Sequence, residues 1–292
     1  MTPAFDIDAL RAVIAGTDLG SFARAAVHLG RSQSAVSMQL KKLEQQAGTR
    51  LFVRKGRGLV PTEAGEAFVV YARRIVALND EAAQALGAAT PIATVRLGLP
   101  QDFFDDVMPA TLTAFGRAHE TVHVEVRAGE NHAMAEEVRA GRLDAAIAFF
   151  RPGAAAEGAL LCELPMRWLA HPDAAERQFA EQGPLPLVLF NHPCLFRQAA
   201  LATLDQQGGR WRAALTTPSL PGIWAALRSS LGVAVRTDHG RPADIACVQR
   251  DLGLPELPSV ELRLLRGPNT SSPAGDLGEC LRQETLERLA RS

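Results

Sequence analysis

Cysteine is scarce and scattered: Cys162, Cys194, Cys247 and Cys280 are the four in 292 residues, with no C-x-x-C pair. That spacing offers neither a zinc site nor a disulfide scaffold, and buried or idle thiols are expected. No uninterrupted apolar run approaches the ~20 residues of a membrane span. The first residues, MTPAFDID, lack the basic and apolar regions of a secretory signal, so a cytoplasmic address is expected. The seven histidines form no H-E-x-x-H. A G-x-S-x-G elbow and a phosphate-binding glycine loop are also missing. These absences speak against an enzyme and against a metal or other cofactor. Asp102, Asp105 and Asp106 do cluster, but acids at a helix start ordinarily serve the cap and the helix dipole. An excess of one charge is lacking too, with 31 Lys and Arg against 32 Asp and Glu. The hydrophobic share of 47% is that of an ordinary soluble protein, long enough for about two domains.

Against this even background, residues 21–48 stand out. The spacing predicts a short helix over 22–29, capped by Ser21, with Ala25, Ala26 and Leu29 on one face. Gly30 ends it. Ser32 caps a second helix running to about Ala47, with Ala35, Val36, Leu40, Leu43 and Ala47 as its buried stripe. Ser34, Ser37, Met38, Lys41 and Lys42 lie off that stripe. Two helices joined at a glycine turn, the second with a polar outer face, form a helix-turn-helix pattern. The apolar runs flanking Gly56 and Gly58 predict a β-hairpin after it. From Gly20 to Val60 eight basic residues face one acid, Glu44, a local charge of +7. Such a patch is an electrostatic footprint for phosphates.

Phe22 to Ala26, Leu29, Ser32-Gln33, Ala35-Val36-Ser37, Leu43-Glu44, Leu51-Phe52, Arg54, Arg57 and Thr62-Glu63-Ala64-Gly65 carry a family resemblance. Residues 5–65 resemble the winged helix-turn-helix of LysR-type transcriptional regulators. The sequence departs where the family usually has Pro at Ser34, often Arg near Met38, and Leu at Pro61. The resemblance implies DNA contacts from Arg31, Ser32, Gln33, Ser34, Ser37, Met38 and Lys41 around the recognition helix. Arg54, Lys55 and Arg57 would add contacts from the wing.

A first helix is expected over 5–16, packing under the motif. After the wing, Thr62 caps a long helix in which Ala64, Phe68, Tyr71, Ile75, Leu78 and Ala82 are spaced 4, 3, 4, 3, 4. A helix of roughly 25 residues outruns what a small domain covers, so a dimer coiled coil is expected through Phe68, Tyr71, Ile75 and Leu78. Residues 87–94 read as a hinge. From Val95 onward strands alternate with helices, at 95–99, 105–118, 122–126, 132–139, 144–149, 160–169, 174–182, 185–190, 195–207, 211–215, 220–231, 233–236, 260–265 and 277–290. That alternation predicts parallel sheets with helices on both faces.

The fold class expected is therefore α/β with an α-rich winged helix-turn-helix at the N-terminus. The family adds a long linker helix and a periplasmic-binding-protein-like type 2 effector domain of two Rossmann-like subdomains. The domains would be 1–62 for DNA, 63–91 for the linker and hinge, and 92–292 for the effector. Subdomain I would be 92–164 with 267–292, and subdomain II 165–266. The segments GLPQDFFDDVMPATLTAF from Gly98, Cys194 to Arg197, and TTPSLPGIWAALRSSLGVAVRT from Thr216 are similar to the LrhA/HexA-like branch.

In open α/β sheets ligands sit beyond the carboxyl ends of strands. That rule selects Pro100, Gln101, Asp102 and Phe103, then Gly129 and Glu130, Phe149 and Phe150, Phe196 and Arg197, Pro218, Ser219 and Leu220, and Arg236. Helix N-termini facing the cleft favour anions, Arg197 and Arg236 offer carboxylate forks, and Phe103, Phe149, Phe150 and Phe196 an apolar wall. A small anionic or aromatic effector is expected. The resemblance implies an operator-binding regulator that self-associates to dimers and tetramers and can meet RNA polymerase. The alternative is a small-molecule solute-binding or sensor protein with no direct DNA role.

Overall fold

The computed structural model describes residues 4–55, 58–85, 93–129, 131–153, 157–173, 183–268 and 271–291. The sequence expectations for Arg57, Glu130, most of the hinge and the helix over 174–182 lie outside these residues.

The N-terminal unit is built by local capping followed by apolar packing. Helix α1 (Ile7–Asp18) starts at Asp6, whose carboxylate accepts from the Ala9 amide at 3.2 Å. Helix α2 (Phe22–His28) starts at Ser21, and α3 (Gln33–Ala47) at Ser32, whose hydroxyl accepts from the Ala35 amide at 3.2 Å. Gly48, at φ 69°, turns the chain out of α3. The wing is an antiparallel pair, β1 (Phe52–Lys55) and β2 (Gly58–Pro61). Leu10, Val13, Ala26, Val36, Leu43, Leu51, Val69 and Ala72 make one core, which α4 (Glu63–Ala85) closes.

Two contacts fix where α4 begins. The Thr62 hydroxyl donates to the Arg50 carbonyl at 2.9 Å and accepts from the Gly65 amide at 3.0 Å. Gly65 then lies against the wing so closely that a Cβ there would stand 1.9 Å from the Leu51 carbonyl oxygen. Further along, Arg73 pairs with Asp18 and Arg11 with Asp80, joining α4 to α1. Helix α4 thus has an inner face of Gly65, Val69, Ala72 and Arg73. Its other face leaves Tyr71 61%, Ile75 39% and Leu78 67% exposed. Phe68 departs from the expected seam: it is half-buried, edge-on to Phe5 at 5.1 Å, because it sits between the two faces.

In the remainder, β3 (Thr94–Leu99) leads through a 3-10 turn (Gln101–Phe103) to α5 (Val107–Ala118), two residues later than the sequence suggests. The Asp106 carboxylate caps α5 through the Val107 amide at 2.6 Å. Then follow β4 (His123–Ala128), α6 (Asn131–Arg139), β5 (Ala145–Phe150), β6 (Ala159–Pro165) and β7 (Arg167–Ala170). The second half holds β8 (Leu185–Phe190), α7 (Leu195–Gln206), β9 (Trp211–Thr217), α8 (Leu220–Arg228), β10 (Ala234–Arg236) and the short β11 (Ala246–Cys247). Finally β12 (Ser259–Arg266) and α9 (Ser272–Leu289) return to the first half.

The sheets are mixed, which corrects the expectation of parallel ones. The first runs β4-β3-β5-β12-β6, with β3 parallel to β4 and β5 but β12 antiparallel to β5 and β6. In the second, β8 and β9 are parallel, a Leu187–Val233 bridge joins them to β10, and β7 is antiparallel to β10 and β11. The cause is the crossing: the chain leaves the first sheet along β6 into β7 and comes back along β12. A return run has the opposite direction. Strand β5 is apolar throughout because both its faces are covered. Ala145, Ile147 and Phe149 join the core with Leu277 and Leu281 of α9, while Ala146 and Ala148 meet Met134 and Val138 of α6.

Candidate functional site

The outer surface of α3 is defined by what its inner surface buries. Val36, Leu40 and Leu43 are buried, and Gln33, Ser34, Ser37, Met38 and Lys41 are exposed. The two serines nearest the helix start are committed to it: Ser32 caps the helix, and its hydroxyl lies 3.0 Å from that of Ser34. Gln33, Ser37 and Met38 keep their side chains free of any such capping role. Arg31 pairs with Asp8 of α1 at 2.6 Å, both partly exposed. Arg54 and Lys55 are exposed on β1. Glu44, the single acid of the basic stretch, faces inward: one of its carboxylate oxygens accepts from the Leu51 amide at 2.8 Å and the Phe52 amide at 3.1 Å. The acid thereby fixes the wing to α3 and leaves the outer face basic.

The second candidate site lies where the two α/β halves meet. The turn after β3 reaches across to the second half at two points. The Gln101 carboxamide oxygen accepts from the Leu220 amide at 2.7 Å, at the start of α8, and its NH2 donates to the Pro218 carbonyl at 3.3 Å. Beside it the Arg236 guanidinium grips Asp102, with Nε donating to the carboxylate at 3.1 Å. Asp102 is 3% and Arg236 6% exposed, so this is an enclosed ion pair. Arg236 also lies over the Phe196 ring, 4.3 Å from its centre. This corrects the expectation of a free carboxylate fork: a buried guanidinium needs a counter-charge, and Asp102 already supplies it.

The expected apolar wall is core. Phe103, Phe149 and Phe196 are 0%, 2% and 2% exposed, with ring centres 5.6 Å apart for the first pair and 5.2 Å for the second. Phe150 and Arg197 are half-buried, with Arg197 donating to the Phe190 carbonyl at 3.2 Å. Pro100 is buried, Pro218 and Gly129 are at or near the surface, and Ser219 caps α8 through the Gly222 amide at 3.3 Å. Behind Arg236 runs a narrow cavity lined by Phe190, Cys194, Phe196, Arg197 and Ile223. It has room for about one water molecule. Two residues missed by the sequence analysis complete the junction. His239 stacks on Phe103 at 4.6 Å and stands 3.4 Å from Asp106, and a Cβ on Gly240 would lie 2.7 Å from the Asp102 carbonyl oxygen. Only the glycine at φ 72° in T-D-H-G hinted at so close an approach.

A winged helix-turn-helix joined by a long helix to a two-part α/β domain defines a class: a DNA-binding regulator with a small-molecule domain. Comparison with known proteins makes it specific. Residues 7–66 match the bacterial regulatory helix-turn-helix protein family, lysR type, and residues 88–285 the LysR substrate binding domain. The transcriptional regulator DgdR of Burkholderia cepacia is 34% identical over 261 residues, 89% of this chain and 87% of that protein. The regulator PecT of Dickeya dadantii is 31% identical over 90% of this chain and 82% of that protein. In fold, the crystal structure of ArgP from Mycobacterium tuberculosis is similar with TM-score 0.74 at 22% identity, covering 96% of this chain and 97% of that one. The chain belongs to the LysR family of DNA-binding transcriptional regulators. Its relatives are transcriptional regulators, and they do not single out a branch within the family. Among the described residues no helix is long and apolar enough to cross a membrane.

Proposed function

We propose that α3 and the wing are the surface that reads this regulator's operator, and that the outer face of α4 is its dimer seam. The supporting observation is the division of α3 into a buried stripe and an exposed polar face beside exposed Arg54 and Lys55. Gln33, Ser37 and Met38 meet base edges, and Lys41, Arg54, Lys55 and Arg57 meet phosphates. A seam through Tyr71, Ile75 and Leu78 holds two recognition helices apart at a fixed distance, which a two-fold operator requires. Dimers pair further through their effector domains. The effector enters between the halves and competes with Gln101 for the start of α8. The work of both sites is binding, not catalysis, and its place is the cytoplasm.

The test uses the full chain and a duplex that it enriches from a random library, with isotherms at several salt concentrations. Gln33→Ala is expected to lower preference for the enriched duplex over random DNA and to leave the salt slope unchanged. Arg54→Ala is expected to weaken both duplexes alike and make the slope shallower by about one unit. Equal loss on all DNA from Gln33→Ala would place the reading face elsewhere.

A further inference from the structure

The outward face of α3 carries one large apolar side chain that no packing role explains. Met38 is 67% exposed. It lies roughly opposite Val36 and Leu40 around the helix, at about 100° per residue. Of its neighbours one turn away, Ser34, Lys41 and Lys42 are exposed and polar, and Ala35 is a half-buried methyl, so most of the Met38 side chain stands clear of the helix. Lone exposed apolar residues are common and mean little by themselves. The position gives this one meaning: it is in the second turn of the helix whose outer face is assigned to the major groove, between Gln33 and Lys41. In that groove the bases present hydrogen-bonding edges and one apolar group, the C5-methyl of thymine. A thioether chain can neither donate to a phosphate nor pair with O6 or N7 of guanine. It is unbranched and adaptable, and fits a methyl surface.

We infer that Met38 reads the C5-methyl of a thymine, fixing a T·A pair at one position of each operator half-site. The inference rests on the assignment of α3 as the reading helix and adds a specificity to it. The docking of the helix is set by Val36, Leu40, Leu43 and the Glu44 contacts, and Met38 adds a base preference to it.

Deoxyuridine tests this directly, because it removes the methyl and keeps O4 and pairing intact. Full-length protein enriches a duplex from a random library, and each thymine of that duplex is then replaced in turn by deoxyuridine. One position per half-site is expected to lose affinity about four-fold, the worth of one buried methyl. Met38→Ala is expected to bind thymine and uracil forms equally at that position and to keep every other preference. Met38→Arg is expected to change the enriched base there from thymine to guanine. Enrichment with no uracil-sensitive position, or a sensitivity that survives in Met38→Ala, overturns the inference and leaves the assignment of α3 standing. Failure to enrich any sequence overturns the assignment, and the inference with it.

Discussion

Single residues in the N-terminal unit hold more of its geometry than their chemistry suggests. Glu44 is the clearest case. In the sequence it is only the odd acid among eight bases, yet it satisfies two amides at the entry to the wing. Glu44→Ala strands both donors beside buried Leu51, at a cost of about 1–3 kcal/mol. Calorimetry of the full chain should show the first domain's transition lowered and the effector domain's unmoved. Glu44→Gln keeps an acceptor oxygen and should recover most of the loss. Gly65→Ala is expected to be as severe, since its Cβ would meet the Leu51 carbonyl. The thiols sort by environment. Burial pushes the Cys162 thiol up, and burial followed by nearby Asp276, Glu284 and Glu279 pushes the Cys280 thiol up. Cys247 is exposed. At mildly alkaline pH, alkylation followed by mass spectrometry should modify exposed Cys247 ahead of Cys162 and Cys280, which burial both shields and holds in the thiol form. The caps at Ser21 and Ser32 were legible in the sequence because a cap acts within three residues. The role of Glu44 was not, because its partners are seven and eight residues away across a turn.

At the scale of elements, α4 shows how one helix serves two surfaces. Its heptad spacing was legible, and the exposed Tyr71, Ile75 and Leu78 fall on it. Phe68 shares the spacing but not the surface. Drift of the heptad against the helix is only about 20° from Phe68 to Ile75, so what covers Phe68 is Phe5, packed edge-on against it from ahead of α1. Tyr71→Asp together with Ile75→Asp sets like charges against each other in a seam between two copies. Sedimentation is expected to show loss of the dimer, while circular dichroism stays unchanged because both side chains lie on the exposed face of α4 and outside its buried stripe. A dimer of undiminished affinity would show that the helices meet through another face. Thermal unfolding should separate this seam from the Arg73–Asp18 and Arg11–Asp80 pairs, which tie α4 to its own α1.

Across the whole molecule, the alternation of strands and helices was legible, and their directions were not. Hydrophobic period distinguishes a strand from a helix, but nothing in the period of β12 tells which way it runs. The junction was also hidden for a reason of distance. Asp102 and Arg236 were both chosen as effector contacts from their loops, and only the fold brings them onto each other across 134 positions. Asp102→Ala leaves a buried guanidinium with no counter-charge and is expected to destabilise the effector domain by about 3–5 kcal/mol. Urea unfolding of the full chain would measure it. Asp102→Leu with Arg236→Met should return most of that stability, because a well-packed apolar pair replaces a buried ionic one. If the double variant were as weak as the single one, the pair would matter for more than its charge.

The strand order β4-β3-β5-β12-β6 also sets a timetable for synthesis. Strand β12 stands inside the first sheet, between β5 and β6, but is almost the last element to be made. The core of the helix-turn-helix and α4 is drawn from residues 5–76, so a nascent chain can finish it early. The first sheet must wait with the wholly apolar β5 unpaired along one edge. Ribosomes add about 5–20 residues per second, so the interval from Phe150 to Ser259 is on the order of ten seconds. An open apolar edge held that long is a substrate for chaperones and a hazard for aggregation. A chain released before Ser259 would carry a complete DNA-binding unit attached to an effector domain that lacks the strand joining β5 to β6.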